Sequence, residues 1–165
     1  MIIPSQNKHY PIRVRPSTVV PGPGVDKDAL YEATVSHRHD VLNGLEFFRD
    51  LLCDSANLHD ADKLHDEDAF HGYIESNFKD TWWWERHKRL TRHHLNDPEG
   101  VPLDVTLIDV LEMITDCTMA GMARSGKVFP LTINPDVLMK AFQNTAELLQ
   151  KFVVVDTRED ADECG

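Results

Sequence analysis

Residues 104–123 read DVTLIDVLEMITDCTMAGMA, and the class of fold follows from them. Leu107, Ile108, Leu111, Ile114 and Thr118 return at steps of three and four, the period of one helix face. The run stops at Ser125-Gly126, where a glycine can close a helix in the left-handed conformation. Asp109, Glu112 and Asp116 keep the same period and lay an acidic stripe along an otherwise apolar helix. Burying carboxylates is costly unless a cation compensates them, and a metal is the natural compensation.

The same period governs the chain on both sides. Downstream, Asn134-Pro135 is a helix start, with Asn as cap and Pro at the first helical position, and the pattern continues to about Phe152. Upstream, Leu30, Val41, Leu45, Phe48 and Leu52 predict a helix over 28–52. Phe70, Tyr73, Ile74 and Phe78 predict another over 67–78. A third starts at the cap pair Asp80-Thr81 and runs to about His94, before the loop signal Asn96-Asp97-Pro98. No alternating strand stands out, and 151–155 is too short and isolated to change the class. The expectation is an all-α, compact single-domain bundle of about five to six helices. Residues 1–25, with most of the prolines and the run PGPG, read as an N-terminal arm. Residues 26–155 read as the helical domain, and the acidic stretch 156–165 as a disordered tail.

At 165 residues one core is sufficient, and the formal net charge of -11 excludes a general affinity for nucleic-acid backbones. It leaves room for a phosphorylated small molecule at a site that carries a metal. The cysteines Cys53, Cys117 and Cys164 form no CxxC, and the first two read as reduced core residues. No apolar run approaches the roughly 20 residues of a membrane span, and the N-terminus lacks the features of a secretory signal, so the expected location is the cytoplasm.

Eight of the nine histidines fall between residues 37 and 94, and histidine is the commonest metal ligand. The strongest local signal is Leu58-His59-Asp60-Ala61-Asp62-Lys63, in which adjacent His and Asp suit two ligands on one metal. His37 lies four residues before Val41, at the core-facing edge of its helix, whereas His39 points about 200° round. His87 and His94 are seven apart and share a face of the third helix, with His93 one position round. Of Trp82, Trp83 and Trp84, one or two belong to the core.

The order His37, His59-Asp60, Asp116 resembles the H…HD…D pattern of HD-domain metal-dependent phosphohydrolases. The likeness extends to an HD-like branch common in bacteriophages. Its HD-x-[SD]-K turn, "EF…Y" run, "H…N/R-HH" stretch and "[LI]-x-D-[LV]-[LV]-E-M-x-x-D" helix are matched here by HDADK, EDAFHGY, HKRLTRHHLNDPEG and LIDVLEMITDC. It covers about residues 36–123. Asp62 stands where a small hydroxyl residue is usual, and Cys117 where an aromatic is usual.

The resemblance implies a metal held by His37, His59, Asp60 and Asp116. Such a donor set suits Mn²⁺, Fe²⁺, Co²⁺, Ni²⁺ or Zn²⁺. It further implies hydrolysis of a phosphate ester, a nucleotide or deoxynucleotide by the habit of the superfamily, in the cytoplasm of a host cell for a phage protein. Asp60, Lys63, His87 and His94 are then the expected catalytic residues, with Lys63 and Arg89 meeting phosphate and Arg92 flanking them. Glu112 is the expected partner orienting a ligand histidine. Glu112, His87, His93 and His94 are also the candidates for holding a second metal. A two-iron centre on His87 and His94 or His93 resembles other HD proteins, either cyclic-dinucleotide phosphodiesterases or oxygenases. A non-catalytic nucleotide-binding module is the third reading. HD enzymes often pair, so a homodimer is compatible with the resemblance.

Overall fold

The structure, a computed structural model, describes residues 11–156. In chain order they form strand β1 (Ile12–Val14), helices α1 (Lys27–Leu58), α2 (Ala61–His65), α3 (Glu67–Glu75), α4 (Thr81–Leu90), α5 (Leu107–Ser125) and α6 (Pro135–Phe152), and strand β2 (Val153–Val155). The fold is therefore helical, with six helices among the described residues, as the periodicity predicts. The chain divides into two compact units, to which α1 and α6 both contribute.

The larger unit spans Asp50–Glu147. Its core gathers Leu95, Val105, Val110, Met113 and Ala141, packed against Val101, Leu107, Cys117, Ile133 and Val137. The predicted helix signals operate here. Asp80 caps α4 by accepting from the Trp82 amide at 3.2 Å, and Gly126 closes α5 at φ 66°. Asn134 caps α6 by accepting from the Asp136 amide at 2.9 Å. At the start of α5, Asp109 accepts from the Thr106 amide at 2.7 Å. Two side chains of α6 complete that corner: Thr145 accepts from the Leu107 amide at 2.8 Å, and Asn144 donates to the Val105 carbonyl at 2.8 Å.

The smaller unit, in its described part, comprises 11–49 and 148–156. Here β1 pairs in parallel with β2, with Ile12 opposite Val153 and Val14 opposite Val155, and the Asp156 amide donates to the Val14 carbonyl at 2.9 Å. Both strands correct the sequence reading. The arm contributes a strand, and 153–155 pairs with it across more than a hundred residues of chain, a match that no local period can reveal. The stretch 157–165 of the expected tail lies outside the described residues. Within this unit α1 packs around Phe47, which is buried against Phe152 at 4.9 Å between ring centroids. Leu30, Val41 and Leu45, the face predicted to meet the core, are about half exposed. Periodicity records which residues share a face, not which face finds a neighbour. Cys53, read as a core residue, is exposed as well.

Candidate metal centre

Four segments of the larger unit bring their polar side chains together: the end of α1 with the turn after it, α2, α4 with the turn after it, and α5. The first turn is abrupt. α1 ends at Leu58, and Asp60 takes the left-handed conformation, φ 52° and ψ 22°, before α2 begins. Aspartate is one of the few residues with a side chain that visits this region. The second turn departs from the sequence reading, because α4 stops at Leu90 and His93 and His94 follow it in non-helical chain. Their rings nonetheless lie against each other at 4.4 Å, and that of His94 lies 4.8 Å from His87.

Glu112 organises one side of the centre. Its Oε1 meets His59 Nδ1 at 3.0 Å and His93 Nδ1 at 2.9 Å, and its Oε2 accepts from the Ser55 hydroxyl. Burial pulls its carboxyl upward, but the donors His93, Ser55 and His59 outweigh that and bring it down to about 2. An ionised carboxylate only accepts, so both imidazoles donate from Nδ1. Asp62 does the same for His87, whose Nδ1 lies 2.8 Å from Asp62 Oδ2. Burial holds His87 below the ordinary imidazole range despite Asp62, so its ring is neutral at pH 7.

With Nδ1 protonated, a neutral imidazole presents a bare lone pair at Nε2. The three Nε2 atoms converge on one carboxylate. His59 Nε2 is 3.4 Å from Asp60 Oδ2, while His87 and His93 Nε2 are 3.4 and 3.7 Å from Asp60 Oδ1. Asp116 Oδ1 joins at 3.6 Å from His59 Nε2. Asp60 Oδ1 and His87 Nε2 are buried without a hydrogen-bond partner. Lone pairs facing a carboxylate oxygen at these distances repel unless a cation lies among them. The donor set therefore fits a metal ion. Three groups of metal-competent side chains occur among the described residues: His87, His93 and His94; His59, His93 and Glu112; and Asp60, Asp62 and His87.

Lys63 is the nearest cation, and its ammonium donates to Asp60 Oδ2. Burial raises the Asp60 carboxyl, but Lys63, with His59 and His87, outweighs this and holds it below the usual range. His94 is different. Burial and the neighbouring His93 and His87 push it down to about 4, and its Nε2 has no partner. A cleft of about 490 Å³ opens beside it, lined by Trp84, His93, Asp116 and Cys117 among others. Trp83, only 1% exposed, stacks on His87 at 4.8 Å.

Of the residues expected at the site, His59, Asp60, Lys63, His87, His93, His94, Glu112 and Asp116 are brought together. His37 is exposed on α1 in the smaller unit. Arg89 is exposed as well and donates to the Glu85 carbonyl of its own helix at 3.1 Å. Arg92 forks onto Asp109 at 2.7 and 3.0 Å and reaches Asp104 at 3.0 Å. That fork ties the His93 turn to the start of α5, and it accounts for Asp109 in the acidic stripe. Sequence reasoning missed Ser55 and the part played by Asp62, whose only signal was its place as a departure from the usual pattern.

No protein-family model matches the chain, and neither a curated protein nor a solved structure does so.

Proposed function

We propose that the chain is a metal-dependent hydrolase of a phosphate ester, with a nucleotide or deoxynucleotide as the substrate class. The observation that carries the reading is the convergence of three imidazole Nε2 atoms on Asp60. The metal part rests on that geometry, and the phosphate-ester part on the resemblance to HD-domain enzymes. His59, Asp60, His87 and His93 would hold the ion, with Asp116 at its edge, and the mixed imidazole and carboxylate donors suit Mn²⁺, Fe²⁺, Co²⁺, Ni²⁺ or Zn²⁺. A bound ion of this kind lowers the pKa of water and polarises a phosphoryl oxygen.

The chain's own residues do the rest. Lys63 offers N–H donors and a positive charge to a phosphate lying on Asp60's side of the centre. His94, pushed down to about 4, is neutral at pH 7 and would serve as a base or a ligand rather than as an acid to the leaving oxygen. The cleft beside it has room for the organic part of a small substrate, and the net charge of -11 disfavours a nucleic acid.

A second reading has its own support. The two oxygens of Asp60 face different imidazoles, Oδ2 towards His59 and Oδ1 towards His87 and His93, so the donors present would be enough to hold a second ion. Elemental analysis of the purified chain, paired with phosphate release from a nucleotide panel, separates the two. One metal per chain with release that is abolished in His59→Ala supports the mononuclear hydrolase. Two irons without release would sink it, and favour a cyclic-dinucleotide phosphodiesterase or an oxygenase.

A further inference from the structure

Asp62 opens α2 two residues after Asp60, and its side chain is 10% exposed. Its Oδ2 meets His87 Nδ1 at 2.8 Å, while the His87 ring is wholly buried and stacked under Trp83. The ring therefore has no water to choose as a partner, and the tautomer it adopts depends on what faces Nδ1. A carboxylate there only accepts, so the proton stays on Nδ1 and the Nε2 lone pair is left facing Asp60 Oδ1 at 3.4 Å. A hydroxyl at position 62 can donate as readily as it accepts and would leave the choice open. Glu112 performs this task for His59 and His93 from α5, but it has no bond to His87. The third imidazole depends on a separate carboxylate carried by α2.

We infer that Asp62 is a positioning residue that sets the Nδ1–H tautomer of His87 and thereby makes that imidazole a metal ligand. The inference rests on the metal reading of the centre. Direct ligation by Asp62 is the competing role, because its Oδ1 is buried without a hydrogen-bond partner and Asp60, Asp62 and His87 form a metal-competent group. Removing an orienting partner of this type weakens metal binding about 10- to 100-fold.

Two readouts on the full chain test it. Ring ¹⁵N chemical shifts of metal-free, histidine-labelled protein report the His87 tautomer, and Zn²⁺ titration against a chromophoric chelator reports affinity. In the wild type His87 is the Nδ1–H tautomer. In Asp62→Leu it shifts towards Nε2–H and Zn²⁺ affinity falls about 10- to 100-fold. Asp62→Asn, whose amide can present either its oxygen or its N–H₂ to Nδ1, leaves the tautomer mixed, and its affinity falls between wild type and Asp62→Leu. If Asp62→Leu unfolds, Asp62→Asn and Asp62→Ser, which both leave the tautomer open, carry the same test against wild type. Unchanged tautomer and affinity in Asp62→Leu would overturn the inference alone. A fall in Zn²⁺ affinity with the His87 tautomer unchanged would overturn it too, in favour of direct ligation. A wild-type chain that takes up no Zn²⁺ and no other divalent transition metal overturns the metal reading, and this inference with it.

Discussion

Asp60 carries two burdens, as the carboxylate on which three imidazoles converge and as a left-handed residue at the break between α1 and α2. Local strain of this type is held in place by its surroundings and clusters at functional sites. The two burdens separate by substitution. Asp60→Gly and Asp60→Ala both lose the metal. Glycine accepts φ 52° without a Cβ penalty, so metal-free Asp60→Gly is expected to be more stable than Asp60→Ala by about 1 kcal/mol. Urea unfolding in the presence of a chelator measures the difference, and an alanine variant as stable as the glycine one would show that the turn is unstrained. The HD dipeptide itself was legible in the sequence, but its conformation was not. It reads as a helical turn, and only the geometry shows a helix ending and another beginning on either side of it.

Among the elements, α5 was the most legible. Its helical period and its stop at Gly126 follow from spacing alone, but the buried face is that of Val110 and Met113, while Leu111 and Ile114 of the predicted face are exposed. The turn after α4 was the least legible. The spacing of His87 and His94 suggests one continuous helix, but α4 ends at Leu90 and the chain turns to bring His93, not only His94, to the centre. Three features shape that turn: the Arg92 fork on Asp109, the Lys88 ammonium between Glu85 at 3.1 Å and Asp97 at 2.6 Å, and Gly100. A Cβ on Gly100 would stand 2.5 Å from the His94 carbonyl oxygen and 3.0 Å from the His94 Cβ. Backbone has to move to admit it. Gly100→Ala is therefore expected to destabilise the fold by about 1–3 kcal/mol and to weaken metal uptake with it. A denaturant titration beside a Zn²⁺ titration checks both, and wild-type values for the pair would show that the turn yields at no cost.

On the scale of the whole molecule, the centre couples stability to pH. His94 is pushed down to about 4 and His87 is lowered as well, mainly by burial, whereas both titrate near the ordinary imidazole value of about 6.5 when unfolded. Below that value the unfolded chain binds more protons than the folded one, so stability falls as pH falls from about 6.5 towards 4. Glu112, held at about 2, and Asp60 add a loss of the same sign at lower pH, below their unfolded values. The Tm of chelator-treated protein is expected to drop steadily from pH 7 to pH 4, with a shallower drop in His94→Gln. Metal raises the Tm at pH 7, and the gain shrinks in acid as protons compete for the imidazoles. A Tm for the chelated protein that is flat or rising between pH 7 and pH 5 would contradict the neutral, buried histidines.

The sequence by itself determined the helical class, most helix starts and stops, the acidic stripe of α5 and the adjacency of His59 and Asp60. These features are local: a period of 3.6, a cap and a dipeptide are complete within a few residues. Tertiary structure determined what depends on partners distant along the chain. It left His37 exposed on α1 in the smaller unit. It brought in His87 and His93 as the facing imidazoles, paired β1 with β2, and gave Asp62 a partner 25 positions away in the sequence. Spacing encodes which side chains share a face, whereas a buried lone pair finds its counter-charge only once separate elements have packed.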